Sequence, residues 1–179
     1  MRIAIDLDDT QSEFCSHWIS IYNAIFEDNL KPSDVLDWEI EKYCNKCSKN
    51  ELYEILGRNN FFKHTEPVKY ARDVIAKLRS MGHEVFTVTA YHPNACIDKS
   101  WWLKEYMGFT QDDIIFCNKK HLIRADMLLD DGAHNHANFE GLKIVYDRPH
   151  NQHMREFEYD CRVNSWKDFE VYCQLTGIL

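Results

Sequence analysis

The stretch Ile3-Ala-Ile-Asp6-Leu-Asp8-Asp-Thr10 decides how the rest of the chain is read. A short run of strand character, Arg2–Leu7, is interrupted by Asp6 and followed by the carboxylates of Asp8 and Asp9. Such a run reads as a buried strand, and acids at i and i+2 then project from its carboxyl end. The bland alternative is an acidic strand-to-loop turn, a common solvated feature. Groups of matching chemistry at the ends of other strands would decide between the two.

Four further short runs have strand character: Glu84–Thr89, Ile114–Cys117, Met127–Leu129 and Lys143–Tyr146. Between most of them the period is helical. Val68, Ala71, Val74, Ile75 and Leu78 recur at i, i+3 and i+4, and Gly82 marks a stop. Ala95 to Met107 carries Trp101, Trp102, Leu103 and Tyr106 and ends at Gly108, while Ser165 and Asp168 cap a closing helix that Gly177 follows. Strands alternating with helices predict an α/β fold, a Rossmann-like parallel sheet flanked by helices on both faces.

One interval is too long for a simple crossover. Between the first strand and Glu84 lies a largely helical segment in which Phe14, Trp18, Ile21, Tyr22 and Ile25 share one face. Ser48 and Glu51 can form a capping box before Leu52–Leu56. We therefore expect residues 11–63 to form a small helical cap, inserted after the first strand and covering the sheet's carboxyl edge. Residues 1–10 and 64–179 would form the core. Ligands of open α/β sheets bind at that edge.

The strand ends carry a set of groups with one chemistry. Asp6 and Asp8 can divide the work of nucleophile and proton shuttle at phosphorus. Thr89 closes its strand with a hydroxyl able to bond a phosphate oxygen, although a lone Thr there is usually just a β-former. Lys120, within the pair Lys119-Lys120, can neutralise a transferring phosphoryl group, although paired lysines are more often solvated. Asp130 and Asp131 end Met127-Leu-Leu, and adjacent carboxylates repel unless a cation or hydrogen bonds intervene. Hard oxygen ligands of this kind suit Mg²⁺.

Taken in order, Asp, Thr, Lys and Asp resemble the four-part pattern of the haloacid dehalogenase-like (HAD) superfamily of aspartate-nucleophile phosphatases. The flanks Asn60-Phe-Phe-Lys-His-Thr-Glu66-Pro67, Val85-Phe-Thr-Val-Thr89-Ala90 and Ala125-Asp-Met-Leu-Leu-Asp-Asp131 resemble the 5′(3′)-deoxyribonucleotidase family more narrowly. That family dephosphorylates deoxynucleoside monophosphates under a helical cap. The resemblance implies Asp6 as nucleophile and Asp8 as acid/base. It implies Mg²⁺ held by Asp6, the Asp8 carbonyl and Asp131, with Asp130 adjacent. Thr89, the Ala90 position and Lys120 would hold the phosphate. Phe14 would stack on the base, with Trp38 and Phe61 or Phe62 closing the pocket. Members often carry Gly-Val after the second Asp and Ser after the motif Thr; Asp9-Thr10 and Ala90 stand there instead, and Ala90 removes a hydroxyl contact to phosphate or sugar.

Composition narrows the partners. The 179 residues include 21 Lys+Arg against 29 Asp+Glu, a formal net charge of −8. This argues against a protein that coats long nucleic acid or an anionic membrane, yet leaves room for a small anionic substrate beside a metal and a lysine. Neither a secretory leader nor the roughly 18 consecutive apolar residues of a membrane span is visible, and seven cysteines without scaffold spacing read as reduced thiols, so the cytoplasm is the expected compartment. Oligomeric state is open, and a homodimer is compatible with the sequence. Cys44-x-x-Cys47 lacks the second ligand pair of a zinc site. His134, His136, His150 and His153 sit in polar segments and are expected to be solvated, with contact between one of them and the site left open. The competing functions are a HAD phosphatase for another small phosphate ester and a catalytically idle binding protein on the same fold.

Overall fold

A computed structural model describes residues 1–58, 60–93 and 95–179. A six-stranded sheet has the order β3-β2-β1-β4-β5-β6, and every pairing is parallel. The strands are β1 (Arg2–Ile5), β2 (Glu84–Thr89), β3 (Ile114–Phe116), β4 (Met127–Asp130), β5 (Leu142–Tyr146) and β6 (Cys161–Val163). The α/β architecture read from the sequence is therefore the observed one. β1 and β4 lie side by side at the centre, with Ile5 opposite Leu129, so the acids that follow both strands emerge next to one another.

Three strand bounds shift by one residue, and two larger differences from the sequence reading concern the first and last strands. β1 was expected to reach Leu7, but it stops at Ile5. Asp6 N–H still donates to the Leu129 carbonyl at 2.9 Å; the Leu7 carbonyl then accepts from Gln11 and Ser12 at 2.9 and 3.0 Å, turning the chain. β6 was not expected at all. Its three residues, Cys-Arg-Val, are too few to show a period, and only pairing with β5 defines it.

The helices are α1 (Phe14–Phe26), α2 (Lys49–Glu54), α3 (Ala71–Ser80), α4 (Cys96–Trp102), α5 (Ala133–His136) and α6 (Trp166–Leu175). α3 buries Ala71, Val74, Ile75 and Leu78 against the sheet, as its period requires. α4 runs on into a π-helical turn, Leu103–Met107, that ends at Gly108 with φ +71°. At α6 the Ser165 hydroxyl accepts from Asp168 N–H, a cap worth about 1 kcal/mol. Trp166 beside it is fully buried, and its indole N–H donates to the Thr10 carbonyl at 2.8 Å, tying this helix to the acidic loop.

The chain leaves the sheet region near Ser12 and returns at Pro67, and these two residues form an isolated antiparallel bridge. Between them the structure has α1, α2 and several single 3-10 turns. They share a hydrophobic cluster that includes Trp18, Ile19, Tyr22, Ile40, Leu52, Ile55, Phe61 and Phe62, separate from the clusters on the two sheet faces. Ser48 and Glu51 make the capping box at the start of α2. Ile25, expected on the buried face of α1, is 36 % exposed because it lies in the last turn, while Ile19 is buried. Among the described residues no helix is long and apolar enough to cross a membrane.

Candidate active site

Acids at the ends of β1 and β4 converge on one buried lysine. Lys120, from the 3-10 turn after β3, donates to Asp6 Oδ1 and, at 2.6 Å, to Asp130 Oδ2. Lys120, Asp6, Asp130 and Asp131 are all buried. Lys120 was read as a phosphate neutraliser against a solvated default, and burial removes that default. Burial lowers its pKa, but Asp130 and Asp6 outweigh this and push it up. Burial also pushes Asp6 well above the usual carboxylate range despite Lys120, helped by repulsion from Asp130, Asp131 and Asp8. Asp131 is pushed up to about 7 by burial and by Asp130.

The second acid has its own cation. Lys99, in α4 and only 3 % exposed, donates to Asp8 Oδ2 at 2.6 Å and to the Thr89 hydroxyl at 3.0 Å. The Ala90 carbonyl accepts from the same ammonium at 3.4 Å, while Ala90 itself is exposed at the end of β2. The motif loop is braced from below. Gln11 Nε2 donates to the Asp6 carbonyl and to Thr87 Oγ1, both at 2.8 Å, and Thr10 Oγ1 donates to Asp131 Oδ1 at 3.3 Å. Asp9 stands at φ +54°, a left-handed conformation that glycine adopts more easily. Cys15 N–H bonds its carboxylate at 2.9 Å, and Arg148 Nε bonds its carbonyl at 2.7 Å.

The donor set fits a divalent metal. Asp6, Asp130 and Asp131 each offer an oxygen within 4.8 Å of the others. Buried carboxylates at this spacing repel one another, and a hard cation with oxygen ligands relieves that repulsion. Asp130 is the most fully bonded, since its Oδ1 also accepts from Gly132 N–H at 2.7 Å and Asn135 Nδ2 at 3.0 Å. A Cβ at Gly132 would lie 2.7 Å from the Asn135 amide nitrogen, so a larger residue would push on the side chain that bonds Asp130.

A cavity of about 230 Å³ opens between this edge and the helical segment. Asp8, Asp9, Ala90, Lys99 and Asp131 line one end, and Phe14, Trp18, Trp38, Ile40 and Phe62 line much of the rest. Phe14 stacks on Phe62 with ring centroids 5.7 Å apart and planes 17° apart. Trp38 is 54 % exposed and lies edge-on to His134 and His150 at 4.6 and 5.5 Å. Of the pair Phe61 and Phe62, only Phe62 is at the cavity wall; Phe61 packs behind it, against Phe14 and His17.

The histidines correct the sequence reading. His136 and His150 are buried, not solvated. His150 Nε2 lies 2.7 Å from Asp131 Oδ2, and His136 Nε2 lies 3.1 Å from the Asp130 carbonyl. The loop after β5 folds under the site: Asn151 Nδ2 donates to the carbonyls of Asp131 and Tyr146 at 2.9 and 2.8 Å. His134 and His153 are exposed, as expected. Sequence reasoning missed Lys99, although one signal was available. Lys99 falls in helical register with Ala95, Trp102, Leu103 and Tyr106, so it is a lysine on an apolar face. Arg148, His150 and Asn151 gave no such signal, because irregular loops carry no period.

Comparison with known proteins agrees with this geometry. Residues 1–175 match the family model described as 5′ nucleotidase, deoxy (Pyrimidine), cytosolic type C protein. The 5′(3′)-deoxyribonucleotidase of Clostridium acetobutylicum is 34 % identical over 173 residues, covering 96 % of this chain and 94 % of that protein. The 5′(3′)-deoxyribonucleotidase of Bacillus subtilis is 34 % identical over 171 residues, covering 94 % and 95 %. A HAD family hydrolase of Deinococcus radiodurans, solved with bound phosphate and sodium, has the same fold: TM-score 0.63, 10 % identity, 99 % of this chain and 95 % of that one. The resemblance read from the motifs is thus borne out, and the chain belongs to the cytosolic type C 5′ nucleotidase family on a HAD fold.

Proposed function

We propose that this protein is a Mg²⁺-dependent phosphomonoesterase, a 5′(3′)-deoxyribonucleotidase that removes phosphate from deoxynucleoside monophosphates. The observation that carries the reading is the meeting of two kinds of surface in one cavity. Asp8, Asp131 and the buried Lys99 line one end, with the Asp6–Lys120 pair next to Asp131, and stacked aromatics line the other. Residues 11–63 act in this reading as the cap over the sheet's carboxyl edge.

Asp6 attacks phosphorus in line and becomes an aspartyl-phosphate as the ester bond breaks. Asp8 gives a proton to the departing alcohol oxygen, then takes one from the water that cleaves the aspartyl-phosphate, so ester and water yield alcohol and phosphate. Thr89 and the backbone at Ala90 orient the phosphoryl oxygens, and Lys120 faces the charge that builds on them. Asp6, Asp131 and the Asp8 backbone carbonyl would hold the metal, with Asp130 adjacent as counter-ion to Lys120. When bound, the metal supplies electrostatic stabilisation of the transferring phosphoryl group. Phe14 offers its ring to the base, and Phe62 and Trp38 bound the same space; Phe61 supports them from behind.

The test is phosphate release from a panel of 5′- and 3′-deoxynucleotides, ribonucleotides and sugar phosphates, with and without Mg²⁺. Metal-dependent release with deoxynucleotides preferred is expected. Comparable rates on sugar phosphates would reduce the reading to a general small-ester phosphatase. No release from any ester, with metal present, would overturn it in favour of a binding protein.

A further inference from the structure

Asp6 and Asp8 each face a buried lysine, but the two lysines are placed differently. Lys120 bridges two carboxylates and is accounted for by the charge it neutralises. The Lys99 ammonium instead joins groups of three kinds: the Asp8 carboxylate, the Thr89 hydroxyl and the Ala90 carbonyl, at 2.6, 3.0 and 3.4 Å. Those acceptors use the full donor capacity of an ammonium. Its Nζ also lies 5.0 Å from the centroid of the Phe62 ring, so the lysine stands where the acidic and aromatic halves of the cavity meet.

The state of Asp8 gives this arrangement a consequence. Lys99 holds Oδ2, whereas Oδ1 is buried and has no hydrogen-bond partner among the described residues. Asp8 lines the cavity. A carboxylate held from a helix by one oxygen, with its other oxygen buried, has a fixed direction. A neutraliser of buried charge alone would not need to engage Thr89 as well.

We propose that Lys99 is a positioning residue for proton transfer to the leaving group. It clamps Asp8 Oδ2 and registers it against Thr89, so that the Asp8 carboxyl is held in one orientation at the cavity wall, toward the ester oxygen of a phosphate seated over Asp6. This rests on the phosphomonoesterase reading above. As Asp6 bonds to phosphorus and the ester bond breaks, the leaving oxygen takes its proton from the Asp8 carboxyl. In the second half-reaction water gives a proton back to that carboxyl, bonds to phosphorus and releases Asp6. Lys99 keeps its own protons throughout.

Leaving-group chemistry tests the idea. A nucleoside alcohol needs a proton as it departs, whereas p-nitrophenolate leaves without one. kcat/KM reports events up to the first irreversible step, so the later water attack does not enter it. In Lys99→Met, kcat/KM on a deoxynucleoside monophosphate should fall about 100-fold or more, the range of a lost general acid, while on p-nitrophenyl phosphate it should fall less than about fivefold. Lys99→Arg keeps the buried charge but displaces the clamp, and its ratio between the two esters should lie between wild type and Lys99→Met. It decides the matter if thermal melting shows that Lys99→Met does not fold. Equal losses on both esters in the folded variants would overturn the proposal and make Lys99 a phosphate ligand or a structural charge. An unchanged ratio with unchanged rates would overturn it too. Wild-type protein that hydrolyses neither ester overturns the phosphatase reading itself, and the positioning role falls with it.

Discussion

The two walls of the cavity are built by opposite means. At the sheet edge, each carboxylate has a specific side-chain partner: Lys120 for Asp6 and Asp130, Lys99 for Asp8, His150 for Asp131. Every one of those carboxylates leaves a strand end or the turn directly after it, so the sheet register fixes its position. The wall formed by residues 14–62 has a cluster of aromatic rings on short helices and single turns, with Phe14, Trp18, Phe61 and Phe62 in mutual contact. Dispersion and area decide packing there, and no single contact is obligatory. On the proposed function, chemistry belongs to the wall fixed by the sheet register and recognition to the aromatic one. Substitutions on the first should abolish turnover, and those on the second should redistribute it among substrates.

The sharpest way to break that division is Asp6→Asn. Loss of the proposed nucleophile should reduce turnover by about 10⁴-fold or more on every ester, nucleotide or not. The fold should survive, because Lys120 retains Asp130 and one repelling carboxylate is gone. Phosphate release and thermal melting measured together check this. Residual turnover within tenfold of wild type would place the nucleophile elsewhere.

Metal comes next. Folding raises both Asp131 and Asp9 from 3.8 to about 7, each chiefly through burial. Their protonated forms therefore favour the native state: the stability they contribute is fully present below about pH 4 and is lost as pH rises through about 7. A cation bound at Asp131 competes with that proton. The Mg²⁺-induced rise in melting temperature should grow between about pH 5.5 and 8 and level off above it, with apparent affinity rising by up to about tenfold per pH unit per displaced proton. A thermal shift independent of pH would remove Asp131 from the ligand set.

What the sequence disclosed follows the same division. Asp6, Asp8, Thr89, Lys120 and Asp131 were legible because each adjoins a strand whose apolar run is visible, and parallel strands send their ends to one edge. The strand order and the pairing of Asp6 with Lys120 across 114 residues of chain were not local properties. β6 was hidden by its length, and His150 by a loop whose place depends on Asn151 reaching the Asp131 carbonyl. In the helical segment the apolar face of α1 was visible. Which of Phe61 and Phe62 would reach the cavity was not, since adjacent residues in a 3-10 turn have no alternation to separate them.

On the aromatic wall, Phe14→Ala should lower kcat/KM on deoxynucleotides by about 10- to 100-fold, the value of a lost stacking surface and its packing, and leave a small sugar phosphate nearly unchanged. Equal losses on both would mean that Phe14 supports the fold of the wall and not the base.

Trp38→Ala should have the smallest effect, and its sign is informative. Trp38 is the most exposed of the aromatic residues lining the cavity apart from Tyr91, at 54 % against 56 %, and it contributes little to the buried cluster. Its removal should leave the melting temperature within a few degrees of wild type. Its ring nevertheless stands edge-on to His134 and His150, and His150 in turn holds Asp131. If Trp38 acts only as a wall for the base, KM for deoxynucleotides rises by a few-fold, about 1 kcal/mol or less, with kcat and Mg²⁺ affinity unchanged. A fall in kcat together with weaker Mg²⁺ binding would show instead that the aromatic wall reaches the metal ligands through His150. The separation between a chemical wall and a recognition wall would then fail at this contact, one of those where the two walls touch.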